Sequence, residues 1–191
     1  MAYEYFNKWA PWMMSHLQAD FKISKESAAA IIGNAGHESG GFKSLQEIKP
    51  TVEGSRGGYG VMQWTGPRRR DFEAYCKRNG LNPKAMETNY AFLFVELKGA
   101  EGKSGRVIER VEAAKGLEAK TEVFMKEFLR PGIPHLSSRV VWANRALQAA
   151  EGYVPLPQPP KHGEGPVAPL PAPKKSLLVL IIEFLLKLFR K

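Results

Sequence analysis

The chain has 191 residues and a formal net charge of +9, long enough for one domain with a real core and an appendage. Its 43% apolar content excludes wholesale disorder, and its single cysteine, Cys76, excludes an intrachain disulfide or a multi-cysteine zinc site. Positive charge favours encounter with nucleic acid, anionic lipid or an acidic bacterial envelope, without choosing among them.

In chain order, residues 1–18 lack a basic start, a long apolar stretch and a small-residue cleavage site. They read as an amphipathic helix, not a secretion signal, so folding in a reducing cytoplasm is expected. Ser24 is placed to cap a second helix whose Ala28, Ile31, Ile32 and Ala35 share a face. That helix should stop near Glu38, because Ser39-Gly40-Gly41 follows. Residues 50–65 intersperse Gly54, Gly57, Gly58 and Gly60 with Val52, Tyr59, Val61 and Trp64, which predicts a short, irregular β-hairpin. Helical patterns resume at 67–79, 84–98, 104–114, 121–130 and 136–151. The expected fold is mostly α, a helical bundle over residues 1–154 with a small β-hairpin beside a cleft.

Residues 155–174 (PLPQPPKHGEGPVAPLPAPK) are proline-rich, which predicts a semi-rigid extended spacer; a proline-motif ligand is the functional alternative. Residues 175–191 (KSLLVLIIEFLLKLFRK) hold an apolar zone from Leu177 to Phe189. As a helix this zone is about 20 Å long, short of the roughly 30 Å hydrocarbon core of a bilayer. Glu183, Lys187 and Arg190 fall on one narrow face, and Lys174 and Lys175 precede the zone. A short cationic helix with one polar stripe is expected to lie in an anionic membrane interface. Packing on the catalytic domain or on a second copy is the plainer alternative.

The chemistry concentrates between Ala28 and Arg70. Glu38 ends an apolar helix just before a glycine break. The negative end of the helix dipole disfavours a second negative charge there, and Phe42 and Trp64 are placed to shed water from the carboxyl. Those conditions suit a glutamate that hands a proton to a leaving glycosidic oxygen. An ordinary exposed glutamate in a last helical turn satisfies the same pattern.

Context separates the two. A helix, then Glu38-Ser39-Gly40-Gly41-Phe42, then Gly58-Tyr59-Gly60-Val61-Met62-Gln63-Trp64-Thr65-Gly66, then Arg68-Arg69, resembles the phage tail lysozyme family. That family sits in a larger lysozyme-like group with goose-type lysozymes and lytic transglycosylases. The resemblance covers about residues 12–80; the later PGIP and the helix from Leu136 to Ala150 are compatible with the family's closing helices. It implies cleavage of peptidoglycan glycan strands, with Glu38 as general acid and Tyr59, Met62, Gln63 and Trp64 lining the cleft. The second carboxylate is open. Glu47 follows Glu38 at a spacing similar to that in phage lysozymes, although Asp is common there, and Glu53 is the other candidate. Transglycosylases of this group manage with a single glutamate.

The other clusters point elsewhere only weakly. A zinc-protease helix would need His where Gly41 follows His37, so no metal or other cofactor is expected. A Cys76–His135 peptidase pair has no supporting motif, and a buried structural thiol fits better. The Arg68-Arg69-Arg70 run suits acidic peptide stems, a solvated face or structural ion pairs equally. The basic residues are dispersed, so nucleic acid is not an expected partner. A monomeric endolysin is expected, made in the host cytoplasm, acting on periplasmic peptidoglycan and meeting the membrane through residues 175–191. Carriage in a virion tail, or a fold kept for cell-wall binding without chemistry, are the alternatives.

Overall fold

The computed structural model describes residues 3–47, 50, 54–103 and 106–154, with backbone alone over 100–103. The proline-rich stretch at 155–174, the tail at 175–191 and Glu53 lie outside the described residues. The helices run α1 (Glu4–Phe21), α2 (Lys25–Glu38), α3 (Gly66–Asn79), α4 (Met86–Lys103), α5 (Val107–Ala113), α6 (Leu117–Phe124) and α7 (Leu136–Ala149). One π-helical turn, Met125–Leu129, continues α6. The expected helix at 121–130 therefore begins earlier and changes pitch midway.

Helix α2 is the central element, enclosed by α1, α6 and α7. Ser24 caps it as expected, its Oγ accepting the Ser27 amide at 3.2 Å. Every residue from Ser27 to Gly36 is buried, so this helix has no solvent face. Small residues make that enclosure possible. A Cβ at Gly33 would lie 2.5 Å from Ala143 of α7, and one at Gly36 would lie 2.7 Å from the Phe6 ring of α1. Phe6 in turn packs on Phe42 and Trp142, with ring centroids 4.9 and 4.7 Å away. At the other end of α2, buried Lys120 of α6 donates its ammonium to Ser27 Oγ and to the Val111 and Glu112 carbonyls near the end of α5.

Another part of the same apolar core joins α3 and α4 to the glycine-rich segment. Trp64, Phe72 and Phe92 meet with centroids 4.6 to 5.1 Å apart. Cys76 is buried beside them, and burial pushes its thiol up to about 11, the character of a structural thiol and not of a nucleophile.

The β-hairpin expected over 50–65 is not found: among the described residues there is no strand. Antiparallel pairing shrinks to two isolated bridges that share Tyr59, one with Gln46 and one with Trp64. Gly57, Gly60 and Gln63 adopt φ of 71°, 78° and 46°, and left-handed residues at that density leave no extended run long enough for a ladder.

Candidate active site

Three successive left-handed residues fold the chain back after Glu38: Gly40, Gly41 and Phe42, with φ of 56°, 72° and 67°. A side chain at Gly41 would strike Trp142 at 2.5 Å. Phe42 is not glycine, so its conformation costs on the order of 1 kcal/mol, offset by burying its ring on Phe6. Ser39 ties the turn to the helix: its Oγ donates to the Ala35 carbonyl at 2.7 Å and accepts the Phe42 amide at 3.0 Å. The Glu38 carboxyl is thus delivered by a rigid helix end, with its side chain 20% exposed.

The aromatics expected beside Glu38 turn into the core instead, Phe42 toward Phe6, and Trp64 toward Phe72 and Phe92. The partner the structure gives Glu38 is Arg139 of α7, whose Nη1 lies 2.7 Å from Oε1. Arg139 is itself 1% exposed. Its Nε donates to the Pro134 carbonyl at 2.7 Å and its Nη1 also reaches Asn34 Oδ1 at 3.2 Å. Asn34, one turn before Glu38 and fully buried, donates its amide to the Ala30 and Thr121 carbonyls at 3.0 and 3.1 Å. Beside this group, His37 Nδ1 lies 2.9 Å from Ser138 Oγ, and its ring centroid lies 5.5 Å from that of His135. Burial, then the charge of Arg139 and the proximity of His135, lower His37 to about 4, so it is neutral at pH 7.

The glycine-rich segment is clipped to the chain that leaves Glu38. Gln63 Nε2 donates to the carbonyls of Ser44 and Gly60, both at 3.0 Å. Glu47 pairs with Gly58 twice: its amide donates to the Gly58 carbonyl at 2.9 Å, and its Oε2 accepts the Gly58 amide at 2.7 Å. A Cβ at Gly57 would lie 2.8 Å from the same oxygen. Arg69 closes the clip from α3, donating to the Arg56 and Gly57 carbonyls, to Gln46 Oε1 and to Glu73 Oε1. Its neighbour Arg68 grips Glu96 with both ends of its fork, at 2.7 and 2.9 Å. Of the readings open for the arginine run, structural ion pairs therefore hold for Arg68 and Arg69, while Arg70 is exposed.

The predicted cleft residues divide. Tyr59 and Gln63 are half-buried and keep surface to offer a ligand. Met62 and Trp64 do not line an open surface: both are buried, and the Trp64 indole N–H is spent on Glu96. Apolar bulk drove these two side chains into the core. Arg139 and Asn34 carried no recognisable site motif. The one sequence-level signal was a polar asparagine inside an otherwise small and apolar run, which demands a buried partner.

A protein-family model described as phage tail lysozyme matches residues 8–149, a span holding Glu38, the glycine-rich segment and Arg139. Comparison with curated proteins finds no match.

Proposed function

Because the chain belongs to the phage tail lysozyme family, a group of lysozyme-like enzymes that degrade peptidoglycan, we propose that Glu38 is its general acid. The bond cut is the glycosidic link between N-acetylmuramic acid and N-acetylglucosamine. The observation that carries this reading is Glu38 itself, a partly exposed carboxyl on a rigid helix end, anchored by a buried arginine. In the reaction the Glu38 proton passes to the glycosidic oxygen as the C1–O bond breaks. Positive charge develops at C1 and the ring oxygen, and water adds to C1, losing its proton to a base. Glu47 is the proposed second carboxylate, activating that water or stabilising the cation. Tyr59 and Gln63 contact the sugar.

The bond from the Gly58 amide to Glu47 Oε2 favours a second reading. A carboxylate already braced by backbone suits a structural role, leaving Glu38 as sole catalyst. The muramic 6-hydroxyl then attacks C1 in place of water, and the product is a 1,6-anhydro sugar. Mass spectrometry of muropeptides released by the purified protein separates the two. Reducing ends together with a slow Glu47→Gln variant support hydrolysis by two carboxylates. Anhydro ends with a fully active Glu47→Gln variant make Glu47 a bystander.

We further read the protein as an endolysin that reaches the wall from the host cytoplasm and meets anionic lipid through residues 175–191. Support comes from the apolar zone at Leu177–Phe189 flanked by cations, behind a proline-rich stretch. Carriage on a virion tail is the alternative, and detection of the chain in purified particles would establish it.

A further inference from the structure

Two carboxylates that brace this fold, Glu73 and Glu96, are held by both oxygens. Glu73 accepts Arg56 Nη1 and Arg69 Nε on Oε1, and Arg56 Nη2 on Oε2. Glu96 accepts Arg68 Nε on Oε1, and Arg68 Nη2 and the Trp64 indole on Oε2. The ion pair of Glu38 with Arg139 comes closest between Nη1 and Oε1, at 2.7 Å, and Arg139 is more deeply buried than Arg56 or Arg68.

The fork of Arg139 is fixed by its surroundings. Its Nε is committed to the Pro134 carbonyl, and Nη1 is shared between Glu38 Oε1 and Asn34 Oδ1. Asn34 cannot turn away, because its NH2 group bonds two carbonyls, Ala30 on its own helix and Thr121 on α6. Two carbonyl acceptors also decide which end of the amide is nitrogen, so Oδ1 must face the guanidinium.

We propose that Asn34 and Arg139 are positioning residues that anchor Glu38 Oε1 and thereby assign proton transfer to Oε2. A guanidinium only donates hydrogen bonds. A proton on Oε1 would face that donor, so the neutral acid keeps its carbonyl oxygen at Oε1 and its O–H at Oε2. The anchored oxygen also stops the carboxyl from rotating, which presents the proton in one direction. After transfer, the carboxylate left behind already has a charged partner. This assignment rests on Glu38 being the acid.

The test compares Arg139→Lys, Asn34→Asp and Glu38→Gln on soluble glycan-strand fragments, alongside thermal melts. Lysine keeps the charge but is a point donor that cannot reach Pro134, Asn34 and Glu38 together. Aspartate at 34 sets a second carboxylate against Arg139, in competition with Glu38. Each variant that melts cooperatively should lose at least about tenfold in kcat with KM within about twofold, since geometry and not binding is damaged. Wild-type kcat in either folded variant, with Glu38→Gln inactive, overturns the positioning role and leaves the acid in place. Wild-type kcat in Glu38→Gln removes the acid itself. Should neither positioning variant fold, infrared spectra of the native chain decide, taken with 13C-labelled glutamate as the difference from Glu38→Gln during acid titration. A carbonyl stretch lowered by a charged hydrogen bond supports an anchored Oε1; an unshifted stretch overturns it.

Discussion

The two regions that flank the turn after Glu38, called walls for brevity, are built by different physics. The helical wall, α2 against α1 and α7, is held by close packing of small residues, with Gly33 on Ala143 and Gly36 on Phe6. The glycine-rich wall has almost no regular structure and is held by discrete polar clips: Gln63 on Ser44, Glu47 on Gly58, Asn89 on the Val61 amide, and Arg69 on Arg56 and Gly57. Packing is collective and resists small displacements of any member. A clip fails when one bond is lost, leaving its carbonyl or amide unpaired. The difference suits the work proposed for each wall: the proposed acid, Glu38, sits on the stiff side, and the side proposed to receive the sugar can adjust bond by bond.

The sharpest test of that division is Glu38→Gln, which keeps shape and removes the proton donor. Turnover should fall by roughly 10²-fold or more while the melting temperature changes little. An unchanged rate in a folded protein would show that the stiff wall carries no chemistry.

Arg69→Met attacks the other wall. It strips donors from Gln46, Glu73 and two carbonyls at a residue 9% exposed, so stability should fall by roughly 2–4 kcal/mol. At a temperature where the variant stays folded, KM for glycan should rise more than kcat falls. The reverse split would place catalytic geometry, not substrate contact, on the clipped wall.

A smaller effect comes from acid. His37 is lowered from 6.5 to about 4 in the folded protein, chiefly by burial, so between those pH values the unfolded chain binds a proton that the native state refuses. Stability should be complete above pH 6.5 and decline as pH falls toward 4. Urea unfolding at pH 7 and pH 4.5 measures the decline, and His37→Asn should flatten that part of it. Glu73 adds a loss at still lower pH. Burial alone would raise it, but the hydrogen bonds and charges of Arg56 and Arg69 prevail and hold it below the usual carboxylate value, so its contribution disappears as it is protonated.

The least effect on chemistry is expected from ending the chain at Val154. That protein should keep most of its activity on naked peptidoglycan, because both walls are intact. It should lose binding to anionic vesicles, where each lysine or arginine near the surface contributes about 1 kcal/mol. Equal vesicle binding by the full and shortened chains would remove the membrane role assigned to residues 175–191.

Sequence alone determined what depends on neighbours a few residues apart. Helical periodicity located the elements, Ser24 was legible as a cap, and Ser39-Gly40-Gly41 marked the stop that leaves Glu38 at a helix end. Glycine spacing marked the irregular wall, but the described residues hold two isolated bridges and no strand, because left-handed residues interrupt the extended backbone. Tertiary structure decided everything that joins distant segments. The partner of Glu38 comes from α7, and nothing near Arg139 in the chain distinguishes it from Arg145 six residues later. The burial of Trp64 likewise depends on Phe72 of α3 and Phe92 of α4 arriving against it. Local pattern governs backbone conformation because its interactions span a turn. The partner of a charged side chain is chosen by whichever group meets it once the helices pack.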